Sequence, residues 1–234
     1  GAGAAVLKDI DMMVKLTAAC VRSTRLPVTV KTRLGWDQDS INIVEVAERL
    51  QDTGISALSI HGRTRAQLYK GQADWSHIAR VKDNPRIRIP IFGNGDIDSP
   101  EKALEYKNRF GVDGIMIGRA AIGYPWIFNE IKHFLATGEH LPPPDIDQRV
   151  EVIRKHLHKS VEWKGLVPGI NEMRRHYNNY LKGLPNIKEF RLQLVTVKTV
   201  EEIDFILDTV KKNYAGFEFE PRKVDMENMT CGCD

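Results

Sequence analysis

The chain predicts an α/β fold built on parallel strands, followed by an all-α helical bundle. Three observations carry that expectation. Strand signals near residues 28, 57, 89 and 114 recur every 25 to 32 residues with a helical pattern between each pair, an alternation that requires parallel strands and right-handed crossovers. Each run ends in a polar or glycine-bearing turn. Beyond Pro142-Pro143-Pro144 the strand signals stop and only helical periodicity remains.

Residues 10 to 24 predict a helix, with Ile10, Met13, Val14, Thr17, Ala18 and Val21 at helical spacing and Asp9 as its cap. Val28 to Arg33 predicts the first strand, closed by Gly35. Residues 40 to 52 are amphipathic and stop at Gly54, and Ala57 to His61 is the second strand. A looser helix from Trp75 to Val81 leads into the third strand, Ile89 to Asn94. Ser99-Pro100 starts a helix through Arg109, with proline at its first position, and Gly114 to Gly118 is the fourth strand. Four strands do not close a barrel, so pattern alone also admits an open sheet, and either way the outer strands are edges prone to self-pairing. After the triproline linker, helices are predicted over 146 to 163, 169 to 182, 186 to 197 and 200 to 213. The first and last carry capping-box spacing, Asp145 with Gln148 and Thr199 with Glu202. The expected division is an α/β domain over 1–141, a helical domain over 145–213 and a disordered tail over 214–234.

Composition narrows the class. Of 234 residues, 42% are apolar and 28% charged, which excludes disordered and low-complexity chains. No apolar run is long enough to span a membrane, so no membrane partner is expected. Three cysteines cannot form a disulfide framework, and a reduced, cytoplasmic setting follows. The net charge of +3 is unevenly spread. Between Arg149 and Lys198 eleven Lys or Arg face four acidic residues, a local +7, which points to a polyanionic partner, RNA before metabolite. The terminal Cys231-Gly232-Cys233 lacks the second ligand pair of a metal site, so no metal is expected.

In parallel α/β folds ligands bind at the carboxyl edge of the strands. That rim here carries Lys31 and His61, the turn Asn94-Gly95-Asp96, and Gly118-Arg119. Glycine lets backbone N–H groups approach an anion, and the arginine fork suits phosphate. A phosphate-bearing ring held against a lysine and a histidine describes a flavin mononucleotide site, and equally a sugar-phosphate site. Arg63 and Arg65 face either RNA or solvent.

Five strings in order resolve that choice by resemblance. Val30-Lys31-Thr32-Arg33-Leu34-Gly35-Trp36, His61-Gly62-Arg63-Thr64-Arg65, Gly93-Asn94-Gly95-Asp96-Ile97, Met116-Ile117-Gly118-Arg119-Ala120-Ala121 and His176-Tyr177 with Tyr180 to Pro185 resemble the tRNA-dihydrouridine synthases, in particular their bacterial B-type branch. The resemblance covers about residues 1 to 213. It implies that the four strands are the second half of a (β/α)8 TIM barrel, and that the enzyme reduces a tRNA uridine to 5,6-dihydrouridine with FMN as cofactor and NADPH as electron donor. Lys31, His61, Asn94, Gly95, Asp96, Gly118 and Arg119 match flavin-binding positions, the last pair at the phosphate. The helical domain is where the family grips tRNA, with Arg174, Arg175, Lys182, Lys188 and Arg191 as candidates alongside Arg63 and Arg65.

One part of the family pattern has no match. The cysteine that donates the proton, in an Asn-x-Gly-Cys-Pro turn, is expected upstream of Gly1, and Cys20 falls inside a helix away from the rim. The expectation is therefore a portion of the enzyme that is inactive alone. A non-catalytic tRNA-binding module, or another FMN- or phosphate-binding barrel oxidoreductase acting on a metabolite, are the alternatives.

Overall fold

The structure is a computed structural model that describes residues 3–221. The described residues form two compact units, one running through Gly118 and the other beginning at Arg119.

The first unit opens with a 3-10 segment, Gly3–Lys8, and helix α1 (Ile10–Ser23). Asp9 caps α1 by accepting from the Met12 amide at 2.9 Å, which satisfies one of the donors a helix start leaves free. Then β1 (Thr29–Arg33), α2 (Ile43–Gln51), β2 (Ala57–His61), α3 (Ser76–Lys82), β3 (Ile91–Asn94), α4 (Pro100–Phe110) and β4 (Gly114–Met116) follow in strict alternation. The strands pair in parallel in the order β1-β2-β3-β4. Ile43, Val46, Ala47 and Leu50 of α2 and Ile78 and Val81 of α3 are buried, as are Leu58, Ile60 and Ile91 of the sheet. Register sets the rim: Arg33 lies opposite His61, His61 opposite Asn94, and Asn94 opposite Met116. The carboxyl ends of all four strands thus stand in one row.

The second unit begins with a 3-10 turn, Arg119–Ala121, and continues through α5 (Ile127–Thr137), α6 (Ile146–Lys164), α7 (Leu166–Tyr180), α8 (Lys188–Thr196) and α9 (Val200–Asn213). Both predicted capping boxes form. Ile153, Leu157, Met173, Tyr177, Leu194, Ile203 and Leu207 share one core.

Two features of this unit differ from the sequence expectation. The division falls at Gly118, ahead of the triproline, and α5 is not among the predicted helices. The cause is packing: residues 119–126 are built onto α7. A Cβ on Gly123 (φ +63) would stand 2.7 Å from the Asn179 Cβ and 2.8 Å from the His176 carbonyl, and Trp126 meets Tyr180 edge-on with ring centroids 6.1 Å apart. Local turn residues cannot reveal such a contact, because its partner is a helix much later in the chain. The second difference lies past α9. Tyr214 donates to the Pro185 carbonyl at 2.6 Å, and Phe217 and Phe219 pack against the bundle core, so residues 214–221 are ordered against it. The rest of the expected tail, with Cys231 and Cys233, lies outside the described residues.

Candidate functional site

Lys31 and Arg33 are two residues apart on β1 and so project to the same side of the sheet. His61 ends β2 in the register position beside Arg33. It is buried, at 6% exposure, and its imidazole is pushed down to about 3, first by burial and then by the positive charges of Arg33, Lys31 and Arg63. It is therefore neutral at physiological pH. The same crowding of like charge acts on its neighbours. Lys31 is held below its ordinary pKa by desolvation and by Arg33, and Arg33 by desolvation and by Arg63 and Arg65. Arg33 is fixed in place by donating to the carbonyls of Thr64 (2.9 Å) and Leu68 (3.0 Å). Sequence reasoning marks Arg33 only as a strand-end residue. Its period-2 relation to Lys31 is the signal that identifies it as part of the rim.

Asn94, at the end of β3, donates to the Met116 carbonyl at 2.8 Å and ties the third strand to the fourth. Gly95 follows with φ +131. A Cβ there would fall 2.5 Å from the Ala73 Cβ and 3.3 Å from His61 Cδ2, so only glycine fits the turn. Its carbonyl accepts from the indole of buried Trp75 at 3.1 Å. Gly118 is exposed, with nothing within 4 Å of where its Cβ would stand. Arg119 is half-buried at the start of the 3-10 turn.

Two expectations are revised by this geometry. Arg63 does not face RNA. It is 2% exposed, both its terminal nitrogens bond the Asp96 carboxylate at 2.8 Å, and it also donates to the carbonyls of Lys70 and Gly71. Asp96 in turn accepts from the Ala73 amide at 2.7 Å. Its carboxylate is therefore committed to holding the 63–73 loop against the Asn94-Gly95-Asp96 turn, and only its backbone is left to face a ligand. Arg65 by contrast is exposed.

In the second unit the candidate RNA residues separate into paired and unpaired groups. Arg175 bonds Glu172 at 2.9 Å and Arg191 bonds the Asn178 side-chain oxygen. Arg174 is half-buried, with its Nε buried and without a partner. Lys182 and Lys188 are exposed and form no ion pair among the described residues. Part of the local +7 is met from outside that stretch, since Arg154 bonds Asp204 and Asp208 of α9 at 2.9 and 2.6 Å. Arg149 is absent from the sequence-based candidates, although its position among Ile146, Val150 and Ile153 on the buried stripe of α6 is a signal for it. At 4% exposure it donates to the carbonyls of Pro144 and Tyr180, each at 3.0 Å, and lies 3.6 Å from the Phe219 ring. His156 and His176 meet between α6 and α7 with ring centroids 4.8 Å apart. Both are held below the ordinary histidine range, chiefly by burial, His176 down to about 4.

The profile of the family described as Dihydrouridine synthase (Dus) matches residues 1–215. The chain belongs to the dihydrouridine synthase family. It is 46% identical over 192 residues to tRNA-dihydrouridine synthase B of Pseudomonas aeruginosa, covering 82% of this chain and 57% of that protein. To the synthase B of Xanthomonas campestris it is 42% identical over 200 residues, covering 86% of this chain and 60% of the relative. A probable tRNA-dihydrouridine synthase of Rickettsia conorii is 40% identical over 189 residues, covering 81% and 56%. The chain thus spans a little over half the length of the curated relatives it matches. The four parallel strands and their helices are a partial TIM barrel of this family.

Among the described residues, no group of three or more His, Cys, Asp or Glu side chains could hold a metal ion, and no helix is long and apolar enough to cross a membrane. Cys20 is exposed on α1.

Proposed function

We propose that this chain supplies the flavin-facing rim and a tRNA-binding helical unit of an FMN-dependent, NADPH-consuming synthase that reduces a tRNA uridine to 5,6-dihydrouridine. The observation that carries the proposal is the row Arg33–His61–Asn94 with Lys31 on the same side of β1, in a chain of this family. The rim fits a phosphate-bearing flavin. It is cationic, its Asp96 is already neutralised by Arg63, and Gly95 lets the turn pack against Ala73 and His61 where any side chain would clash.

When bound, FMN supplies the hydride. Lys31 and Arg33 set a positive field at the rim, which favours an anionic ligand and the negative charge that reduction places on it. His61, kept neutral by burial and by the cations around it, offers a hydrogen bond without adding further charge. Asn94 and the Arg63–Asp96 pair hold the turn rigid. The target base must leave its stack to reach such a rim, and the exposed Lys182 and Lys188 of the second unit hold phosphates of the same RNA. Among the described residues no thiol stands on the rim, and the proton that completes the reduction is expected from an acid outside them. The chain alone is expected to bind FMN and tRNA without turning over.

The test is titration of the purified chain with FMN, followed by flavin fluorescence, and with tRNA, followed by gel shift at several salt concentrations. Lys31→Ala weakening FMN binding about tenfold or more, and the Lys182→Ala/Lys188→Ala double variant weakening only tRNA binding, is the expected result. Absence of binding to both ligands would overturn the reading, and robust dihydrouridine formation by the chain alone would overturn its catalytic half.

A further inference from the structure

Trp36 follows β1 and carries two cations on its indole. The Lys8 ammonium lies 3.9 Å from the ring centroid and the Arg65 guanidinium 5.4 Å. The three come from well-separated stretches: Lys8 closes the first 3-10 segment, and Arg65 follows β2. Backbone bonds fix the arrangement. The parallel pairing of β1 with β2 continues past the named strands, with Leu34 donating to the Arg63 carbonyl (3.2 Å), Arg65 to Gly35 (3.0 Å) and Ala66 to Trp36 (2.8 Å). The backbone segments that carry the indole and the guanidinium are therefore tied to each other.

Lys8 and Arg65 are exposed, and among the described residues neither forms an ion pair. The carboxylates next to Lys8 and Trp36 in sequence are engaged elsewhere: Asp9 caps α1 and Asp37 caps the short turn at Gln38–Ser40. Two like charges brought to one ring without a counter-ion repel each other, and an anion between them relieves that repulsion. The electron-rich ring attracts each cation to its face, which holds the two charges near one another for an incoming anion to bridge. The pair ends a longer series. Arg65 acts electrostatically on Arg33, and Arg33 on Lys31, so positive charge runs along the rim from Lys31 outward.

We propose that Lys8, Trp36 and Arg65 form a phosphate-binding subsite at the outer end of this cationic rim, taking a phosphodiester or pyrophosphate group of a ligand whose reacting part lies toward Lys31. Two sources share that chemistry, the backbone of an RNA strand and the phosphates of a dinucleotide reductant. Both sources rest on the function proposed above; the phosphate subsite itself does not.

The experiment compares the wild-type chain with Lys8→Ala/Arg65→Ala, Trp36→Leu and Arg65→Lys, titrating tRNA at a series of salt concentrations and, in parallel, NADPH and inorganic pyrophosphate. Calorimetric melting confirms that each variant is folded. If RNA is the source, the double variant binds tRNA about tenfold more weakly and its salt slope falls by about 0.7–0.9 for each phosphate no longer neutralised. Trp36→Leu reproduces part of that weakening and Arg65→Lys little of it. If the reductant is the source, tRNA binding is unchanged and NADPH and pyrophosphate affinity fall by a similar factor. Unchanged binding of all three ligands by the folded double variant overturns the subsite, as does a wild-type chain that binds none of them. A wild-type chain that binds FMN and tRNA normally while the double variant shows no change leaves the proposed function standing and removes only this inference.

Discussion

Arg63 has two conceivable roles within the basic string His61 to Arg65, and a structural arginine responds to removal differently from an RNA-binding one. In the structure it is 2% exposed and its bidentate partner Asp96 is 13% exposed. Arg63→Ala removes the bidentate partner of the Asp96 carboxylate, which keeps its bond from the Ala73 amide, and strands the carbonyls of Lys70 and Gly71. Breaking one side of a buried ion pair costs about 3–5 kcal/mol. A unit of this size has a total stability on the order of 10 kcal/mol, and each kcal/mol moves its melting temperature by about 4 °C. The first unit is therefore expected to melt about 12–20 °C earlier on that scaling. Calorimetry reads the shift, and hydrogen exchange at the β2 and β3 amides assigns it to that unit. The apolar pair Arg63→Met/Asp96→Leu should recover part of the stability, because it removes both charges, but not all, because the Ala73 amide then lacks an acceptor. A melting shift under about 3 °C together with a large drop in tRNA affinity would refute the reasoning and return Arg63 to the RNA surface.

Three further outcomes are expected. His61, with its pKa lowered to about 3 in the folded chain, gains protons on unfolding at pH between that value and its ordinary 6.5, so its contribution to stability is intact above pH 6.5 and declines by up to about 1.4 kcal/mol per pH unit below it; urea melts of the first unit at about pH 7 and about pH 5 should show a shallower acid loss in His61→Gln. Gly95→Ala forces a side chain into φ +131 and onto the Ala73 Cβ, and should lower stability by about 2–4 kcal/mol with loss of FMN binding, whereas Gly118→Ala, with open space around it, should leave melting unchanged. Arg149→Met removes a buried guanidinium that the carbonyls of Pro144, Tyr180 and Lys182 and the Phe219 ring surround, and should destabilise the second unit by about 2–4 kcal/mol without moving the first; an unchanged melt would show that those carbonyls find other partners.

The fold is legible in sequence wherever local chemistry decides it. Ser99-Pro100, Asp145 with Gln148 and Thr199 with Glu202 each mark a helix start that forms as expected, since capping depends on residues close in the chain. The strands are legible as short segments between helical patterns, each ending in a polar or glycine-bearing turn. What stays hidden depends on distant contacts. No local pattern shows that residues 119–126 dock on α7, or that Phe219 closes over Arg149. The rim is legible as a place, because strand ends in such folds must align there. The roles within it are less so: Arg63 and Arg65 are two residues apart in one string, yet one is sealed against Asp96 and the other stacks on Trp36 in solvent, a split imposed by the loop that runs on from them to residue 75.

That split explains how the rim keeps its charge. Burying the Arg63 guanidinium is costly unless it is paired, and the Asp96 carboxylate is spent on that pairing. The remaining cations of the row, Lys31, Arg33 and Arg65 with Lys8 beyond, form no ion pair among the described residues, and Arg33 is satisfied by carbonyls, which neutralise no charge. Burial, reinforced by these cations, lowers the pKa of His61 and so keeps it from adding another positive charge. Adding a carboxylate to this row, as in Tyr69→Glu beside Arg33, would relieve the repulsion and raise the first unit's stability while weakening every anionic ligand at once. A variant that became less stable and bound FMN as before would show that the field at the rim is not what selects the ligand. The arrangement as it stands leaves like charges unpaired along the rim, and an anion would relieve their repulsion, as the proposed flavin and phosphate sites require.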